Sequence, residues 1–173
     1  MHRIDVSGEE QRSLCWEQAS VSEAAWPRFS RSNNGTVAVI WEDLEHPRDV
    51  RVGQEESASI RWKQLTHLHP QAGELEIGQT EVHHWHGADG WDMQGLVIKP
   101  VGYDSGQRYP LVMWVHGGPT GVSGSCFYAA SHWNQLWANA GYAVFLPNYR
   151  GSTGWGLNFA ESNLGDMGGK DFE

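Results

Sequence analysis

Two unbroken apolar runs, Leu111-Val-Met-Trp-Val115 and Tyr142-Ala-Val-Phe-Leu146, constrain the fold of this chain more than any other feature. A half-buried strand alternates apolar and polar residues, whereas a continuous run suits a strand covered on both faces. Between the runs, Trp133, Leu136, Trp137 and Ala140 recur at helical spacing and Gly141 follows as a stop, which predicts a helix over 132–140 with those residues inward. Buried strand, loop, helix, buried strand is the pattern of an α/β sheet layered with helices. The first run ends sharply at His116-Gly117-Gly118-Pro119. The second leaves through a Gly-rich string, Pro147-Asn-Tyr-Arg-Gly-Ser-Thr-Gly-Trp-Gly156, and a further helix is expected to begin at Gly168-Gly169.

The first half has another period. Asn33-Asn34-Gly35 is a turn signal leading into the β-branched run Thr36-Val-Ala-Val-Ile-Trp41. Asp49-Val-Arg-Val52 alternates before Gly53, and Ser59-Ile-Arg-Trp-Lys-Gln-Leu65 alternates again. Short strands at this spacing suggest a sandwich, a barrel or a propeller blade. A lone four-stranded blade needs neighbours to bury both faces. Residues 66–80, with Pro70, Gly73 and Gly78, read as a linker. Glu81–Trp85 and Met93–Lys99 then form a predicted hairpin around Gly87-Ala-Asp-Gly90.

Composition narrows the function classes. A formal net charge of −9 leaves no broad basic face, which argues against nucleic acid as a partner. Two cysteines, Cys15 and Cys126, make neither a CxxC metal site nor a disulfide framework. No apolar run follows Met1-His2-Arg3-Ile4-Asp5, and no stretch approaches the roughly 18 apolar residues of a membrane span. The expectation is a cytoplasmic chain without membrane contact.

The chemistry points to the His116-Gly117-Gly118-Pro119 loop. Paired glycines directly after a buried strand leave backbone N–H groups free to face a ligand. Such a loop supplies part of the oxyanion hole of α/β-hydrolases, where fixed donors meet charge developing on a tetrahedral intermediate. A glycine turn with no ligand fits those four residues equally well.

The wider pattern is more specific. Tyr109-Pro-Leu-Val112, the HGGP loop, Gly141-Tyr-Ala-Val144, the string at 147–156 and Asp166-Met-Gly-Gly-Lys-Asp171 together resemble the prolyl oligopeptidase family of serine peptidases, above all its acylaminoacyl-peptidase and dipeptidyl-peptidase branches. Gln64-Leu65-Thr66, Asp89-Gly90, Gln94-Gly95 and Pro100 extend the likeness upstream. It covers roughly residues 30–173, and is specific from 109 to 171. The resemblance implies a mixed fold: the end of a β-propeller, its last blade, over residues 1–80, then the N-terminal portion of an α/β-hydrolase domain over 81–173. It also implies hydrolysis of short or N-acylated peptides by a Ser-Asp-His triad, with no cofactor. Self-association of the full-length protein is left open.

The nucleophile of that triad belongs in a GxSxG elbow. Gly121-Val-Ser123-Gly-Ser125 lacks the last glycine, and Ser152 in Arg-Gly-Ser-Thr-Gly also departs from the pattern. The triad is therefore expected outside these residues, and the 173-residue chain alone is expected to be inactive and poorly stable.

The resemblance makes Gly117 and Gly118 the candidate oxyanion donors, with His116 either donating or shaping the loop. Arg150, Tyr149 and Trp155 are candidate substrate contacts; Arg150 equally suits a tie between loops, and the two aromatics equally suit packing. His67, His69, His83, His84 and His86 bring histidines together, but no cysteine or fixed carboxylate completes a zinc set. No metal site is expected. An esterase using the same loop, or a non-catalytic propeller edge that binds a partner, remain the competing readings.

Overall fold

A computed structural model of the chain describes residues 2–4, 11–13, 29–55, 60–118, 120–127 and 132–172. Pro119, which closes the HGGP string, and Ser59, which opens an expected strand, lie outside the described residues. The chain divides into two compact units, residues 1–73 with 125–127 and residues 74–124 with 128–173.

In the first unit β1 (His2–Ile4) pairs antiparallel with β2 (Gln11–Ser13). A separate sheet follows as an antiparallel meander: β3 (Phe29–Arg31), β4 (Thr36–Trp41), β5 (Asp49–Glu55) and β6 (Ile60–Gln64), each paired to the next. The turn into β4 forms where expected, with the Gly35 N–H donating to the Ser32 carbonyl at 3.1 Å. Alternation along β4 places Val37, Val39 and Trp41 on one buried face, with Ile60 and Trp62 packed against them.

The strand expected to end before Gly53 instead runs through it to Glu55. Gly53 stands opposite Trp62, and a Cβ on Gly53 would come within 2.7 Å of that indole. The ring takes the space a side chain would fill, so a glycine here keeps the strand intact. Asp49 anchors the sheet's end. Its carboxylate accepts from the Thr66 hydroxyl (2.5 Å), the Leu68 N–H (3.1 Å) and the Gln64 amide (2.7 Å).

The second unit is built on β7 (Thr80–His86), β8 (Asp92–Ile98), β9 (Leu111–Met113) and β10 (Ala143–Asn148). Their spatial order is β7-β8-β10-β9. β10 runs antiparallel to β8 and parallel to β9, and the parallel pair is connected through α1 (His132–Asn139). The helix ends as expected: the Tyr142 N–H donates to the Trp137 carbonyl and the Gly141 N–H to that of Ala138, closing a Schellman turn. Leu96, Ile98, Val144 and Leu146, none more than 1% exposed, form the core beneath α1.

Three expectations are overturned. The helix turns its other face inward. Asn134, Gln135 and Ala138 are buried, while Trp133, Leu136 and Trp137 are exposed. Gln135 explains this orientation, because its side chain accepts from the Gly78 N–H (2.8 Å) and donates to the Gly78 carbonyl (3.2 Å). Small Ala138 then allows close approach: a Cβ on Gly78 would lie 2.9 Å from it. Two satisfied backbone groups and close packing outweigh the apolar periodicity on which the expectation rested.

Likewise, the run at 111–115 is not covered on both faces. β9 is an edge strand, and Leu111, Met113 and Val115 are all more than half exposed. Val112 pairs with Val144 on the side that α1 covers, while the odd-numbered residues project from the opposite face, where Met113 and Val115 line an open cavity. The helix expected from Gly168 is also absent; residues 168–171 form turns. The Asp166 carboxylate accepts from the Lys170 N–H at 3.2 Å and that of Asp171 from the Gly168 N–H at 3.3 Å, local bonds that compete with a helix. A short helix the sequence reading did not anticipate, α2, spans Leu157–Ala160. Among the described residues no helix is long and apolar enough to cross a membrane.

Candidate active site

Parallel pairing gives β9 and β10 a common carboxyl edge, and the antiparallel register of β8 brings the Gly87–Trp91 turn to the same edge. Three loops distant in sequence therefore meet there: 87–91, 116–118 and 149–156. Crevices beyond the carboxyl ends of parallel strands are where open α/β sheets place ligands.

Trp114 adds a last rung after β9, its N–H donating to the Phe145 carbonyl at 2.8 Å. The backbone then turns through His116, Gly117 and Gly118. Gly118 has φ 144°, and a Cβ there would stand 2.6 Å from the Gly121 nitrogen, so only glycine suits the position. Gly117 differs, with nothing within 4 Å of the place its Cβ would occupy. The flank of the loop at Gly117 is thus open space.

The loop after β10 braces this turn. The Tyr149 ring stacks on the His116 imidazole at 4.6 Å between centroids, and its hydroxyl donates to the His116 carbonyl at 2.7 Å. Burial, and then the nearby Asp171 carboxylate, raise the Tyr149 pKa above the ordinary phenol value, so the hydroxyl stays a donor. Ser152 is fully buried and its Oγ lies 3.0 Å from His116 Nε2. Thr153 donates its N–H to the Gly121 carbonyl at 3.0 Å and its hydroxyl to the Thr120 carbonyl at 3.2 Å.

A serine 3.0 Å from a histidine has the spacing of a nucleophile and its base. The surroundings rule out that role for Ser152. Its hydroxyl donates to the Tyr149 carbonyl at 2.5 Å, and its exposure is zero. Ser123 is also buried, with its backbone N–H and carbonyl both bonded to the Asn148 amide. Neither serine hydroxyl is exposed.

Arg150 is 7% exposed. One guanidinium nitrogen donates to Asp89 Oδ2 and another to the Lys170 carbonyl, so it joins the 87–91 turn to the segment after α2. Trp155 lies at the surface, tilted against Phe159 at 5.6 Å. A mainly apolar cavity of about 520 Å³ opens on the face of the sheet opposite α1, lined by Trp85, Met93, Met113, Phe145, Tyr149 and Arg150 among others. The 116–118 loop does not line it. His83 stacks on Trp85 and His86 pairs with Asp92 at 2.9 Å. Among the described residues no three His, Cys, Asp or Glu side chains are grouped to hold a metal ion.

The sequence singles out His116, Gly117, Gly118, Tyr149 and Arg150 as candidates, and the structure adds two contacts that it does not foretell. Asp89 enters the sequence analysis as part of a turn and of the family likeness, with no sign of its pairing with Arg150. Ser152 was weighed only as a nucleophile, because its bond to His116 spans 36 positions and leaves no local signal.

Residues 128–173 match the model of the prolyl oligopeptidase family. The dipeptidyl-peptidase 5 proteins of Trichophyton equinum and Arthroderma otae are 34% identical over 100 residues, which is 57% of this chain and 12% of theirs. A solved acylaminoacyl peptidase in complex with Z-Gly-Gly-Phe-chloromethyl ketone superposes with a TM-score of 0.77 at 25% identity, covering 95% of this chain and 24% of that one. The acylaminoacyl peptidase of Pyrococcus horikoshii shares the fold with a TM-score of 0.75 at 24% identity, over 94% of this chain and 24% of its own. The match thus spans about an eighth of the curated relatives' length.

Proposed function

We propose, from the premise that this chain belongs to the prolyl oligopeptidase family, that it is the portion of a serine peptidase that carries one side of the oxyanion hole. Residues 81–173 open the α/β-hydrolase domain, and residues 1–80 are the closing part of a propeller whose last blade is the β3–β6 meander. The Ser-Asp-His triad comes from polypeptide outside these 173 residues.

In this reading the triad serine attacks the carbonyl carbon of a short or N-acylated peptide, and its proton passes to the triad histidine. Negative charge collects on the former carbonyl oxygen. The N–H of Gly117 or Gly118 meets it from one side, and the N–H following the nucleophile meets it from the other. Tyr149 and Arg150 border the adjoining cavity, whereas Trp155 packs against Phe159 and does not line it. Because both polar ends of Arg150 are engaged by Asp89 and Lys170, its part is to hold the loops, with any substrate carboxylate contacting it secondarily. The names of the relatives, dipeptidyl-peptidase and acylaminoacyl peptidase, support release of dipeptides or acylated amino acids.

The observation that carries the reading is the open flank at Gly117, on a braced loop at the carboxyl end of a parallel strand. The test compares the 173-residue chain with the full-length protein containing it, using chromogenic dipeptidyl and acetyl-aminoacyl amides and a fluorophosphonate label. The full-length protein should turn over at least one substrate and label at a serine outside residues 1–173, while the short chain does neither. Turnover by the short chain, or labelling at Ser123 or Ser152, contradicts the proposal.

A further inference from the structure

We propose that Ser152 and Tyr149 act as a two-point clamp on His116, and are positioning residues for the backbone amides of Gly117 and Gly118. This rests on the peptidase reading above and assigns the residues that set its geometry.

The hydrogen-bond directions are forced. Ser152 has one hydroxyl proton, and it goes to the Tyr149 carbonyl at 2.5 Å. Toward His116 Nε2, 3.0 Å away, the same oxygen can only accept. His116 therefore carries a proton on Nε2 and donates it to Ser152, which fixes the rotation of the ring. Nδ1 lies 3.2 Å from the Gly117 carbonyl oxygen, which can only accept, so with a proton on Nδ1 as well the imidazolium ring is tied to the peptide plane between Gly117 and Gly118. Rotating that plane rotates the Gly118 N–H with it, because a peptide unit is rigid.

Tyr149 fixes the other half. Its hydroxyl holds the His116 carbonyl at 2.7 Å, which belongs to the peptide unit carrying the Gly117 N–H. Each clamp residue thus orients the plane that bears one candidate donor. Neither touches the space beside Gly117, so neither is a catalytic residue. The imidazole, stacked on Tyr149 and bonded to Ser152, is the lever, which gives His116 the shaping role rather than that of an oxyanion donor.

Gly117 and Gly118 have no side chains to hold their amides in place, and glycine samples more backbone conformations than any other residue. An oxyanion donor works because it is aimed before the charge forms. A misplacement of about 1 Å at such a site costs about 10²-fold in rate, and the clamp guards against smaller displacements than that.

The experiment uses the full-length protein with the amide substrate it turns over, and rates are expressed per labelled active site. Ser152→Ala should lower kcat about tenfold with KM within about twofold, as expected when only transition-state contacts are weakened. Ser152→Thr, which keeps the hydroxyl, should restore most of the rate. Tyr149→Phe should lower kcat with KM held in the same way, and it carries the test if Ser152→Ala does not fold. Unchanged kcat per labelled site in both Ser152→Ala and Tyr149→Phe overturns the clamp while leaving the peptidase reading intact. Equal loss in Ser152→Ala and Ser152→Thr also overturns it, since that marks a packing role. A wild-type full-length protein with no turnover overturns both readings together.

Discussion

Each of the two units has a four-stranded sheet, and the two sheets are built in opposite ways. In the first unit β3 to β6 pair strictly in chain order, every neighbour antiparallel. In the second, β9 and β10 are parallel, and β10 inserts between β9 and β8. The meander keeps its contacts local and buries one face, as the alternation of β4 shows. The crossover sheet buries Val144, Leu146 and Asn148 of its inner strand completely and brings three distant loops to one edge. Local pairing produces a stable surface, whereas non-local pairing produces a place where groups from 89, 116 and 150 meet.

The largest effect that would sharpen this contrast is expected in the inner strand. Leu146→Ala removes a side chain with zero exposure, and should destabilise the second unit by about 2–5 kcal/mol. Hydrogen exchange resolved by unit checks it, with the protection of β4 and β5 unchanged. Next is Gln135→Leu, which leaves the Gly78 N–H and carbonyl without their partner and should cost roughly 1–3 kcal/mol despite adding an apolar group. A stabilising result would contradict the inward orientation of that helix face.

A smaller effect belongs to the meander. Burial opposes ionisation of Asp49, yet bonds from Thr66, Leu68 and Gln64, with His67 nearby, hold its pKa below the ordinary 3.8. A depressed carboxylate stabilises the fold fully above its unfolded value, and the contribution is lost as pH falls through the folded value. Thermal melts should therefore show the first unit weakening below about pH 4, and Asp49→Asn should flatten that decline while costing about 1 kcal/mol at neutral pH. The smallest effect is Leu136→Ala. On the exposed helix face it should change stability by about 0.5 kcal/mol or less.

Legibility followed the same divide. The β-branched and aromatic run Thr36–Trp41 located β4 to the residue, because such side chains suit a pleated, half-buried surface. The runs at 111–115 and 142–146 revealed the α/β character, and Gly141 marked the helix end. The orientation of α1 was not legible. Trp133, Leu136 and Trp137 outrank Asn134 and Gln135 in hydrophobicity, and nothing local shows that Gln135 satisfies a backbone 57 positions away. The site divides in the same way. The paired glycines were visible in sequence, whereas Ser152 and Asp89 take their roles from contacts that only the crossover creates.

The account turns on the space beside Gly117, and Gly117→Val in the full-length protein tests it most directly. The added atoms enter open space, so the thermal midpoint should stay near that of the wild type, while kcat for the amide substrate falls by about 10²-fold or more, the scale of losing one oxyanion donor. A Gly117→Val protein that folds and retains wild-type kcat would show that no substrate oxygen approaches this loop.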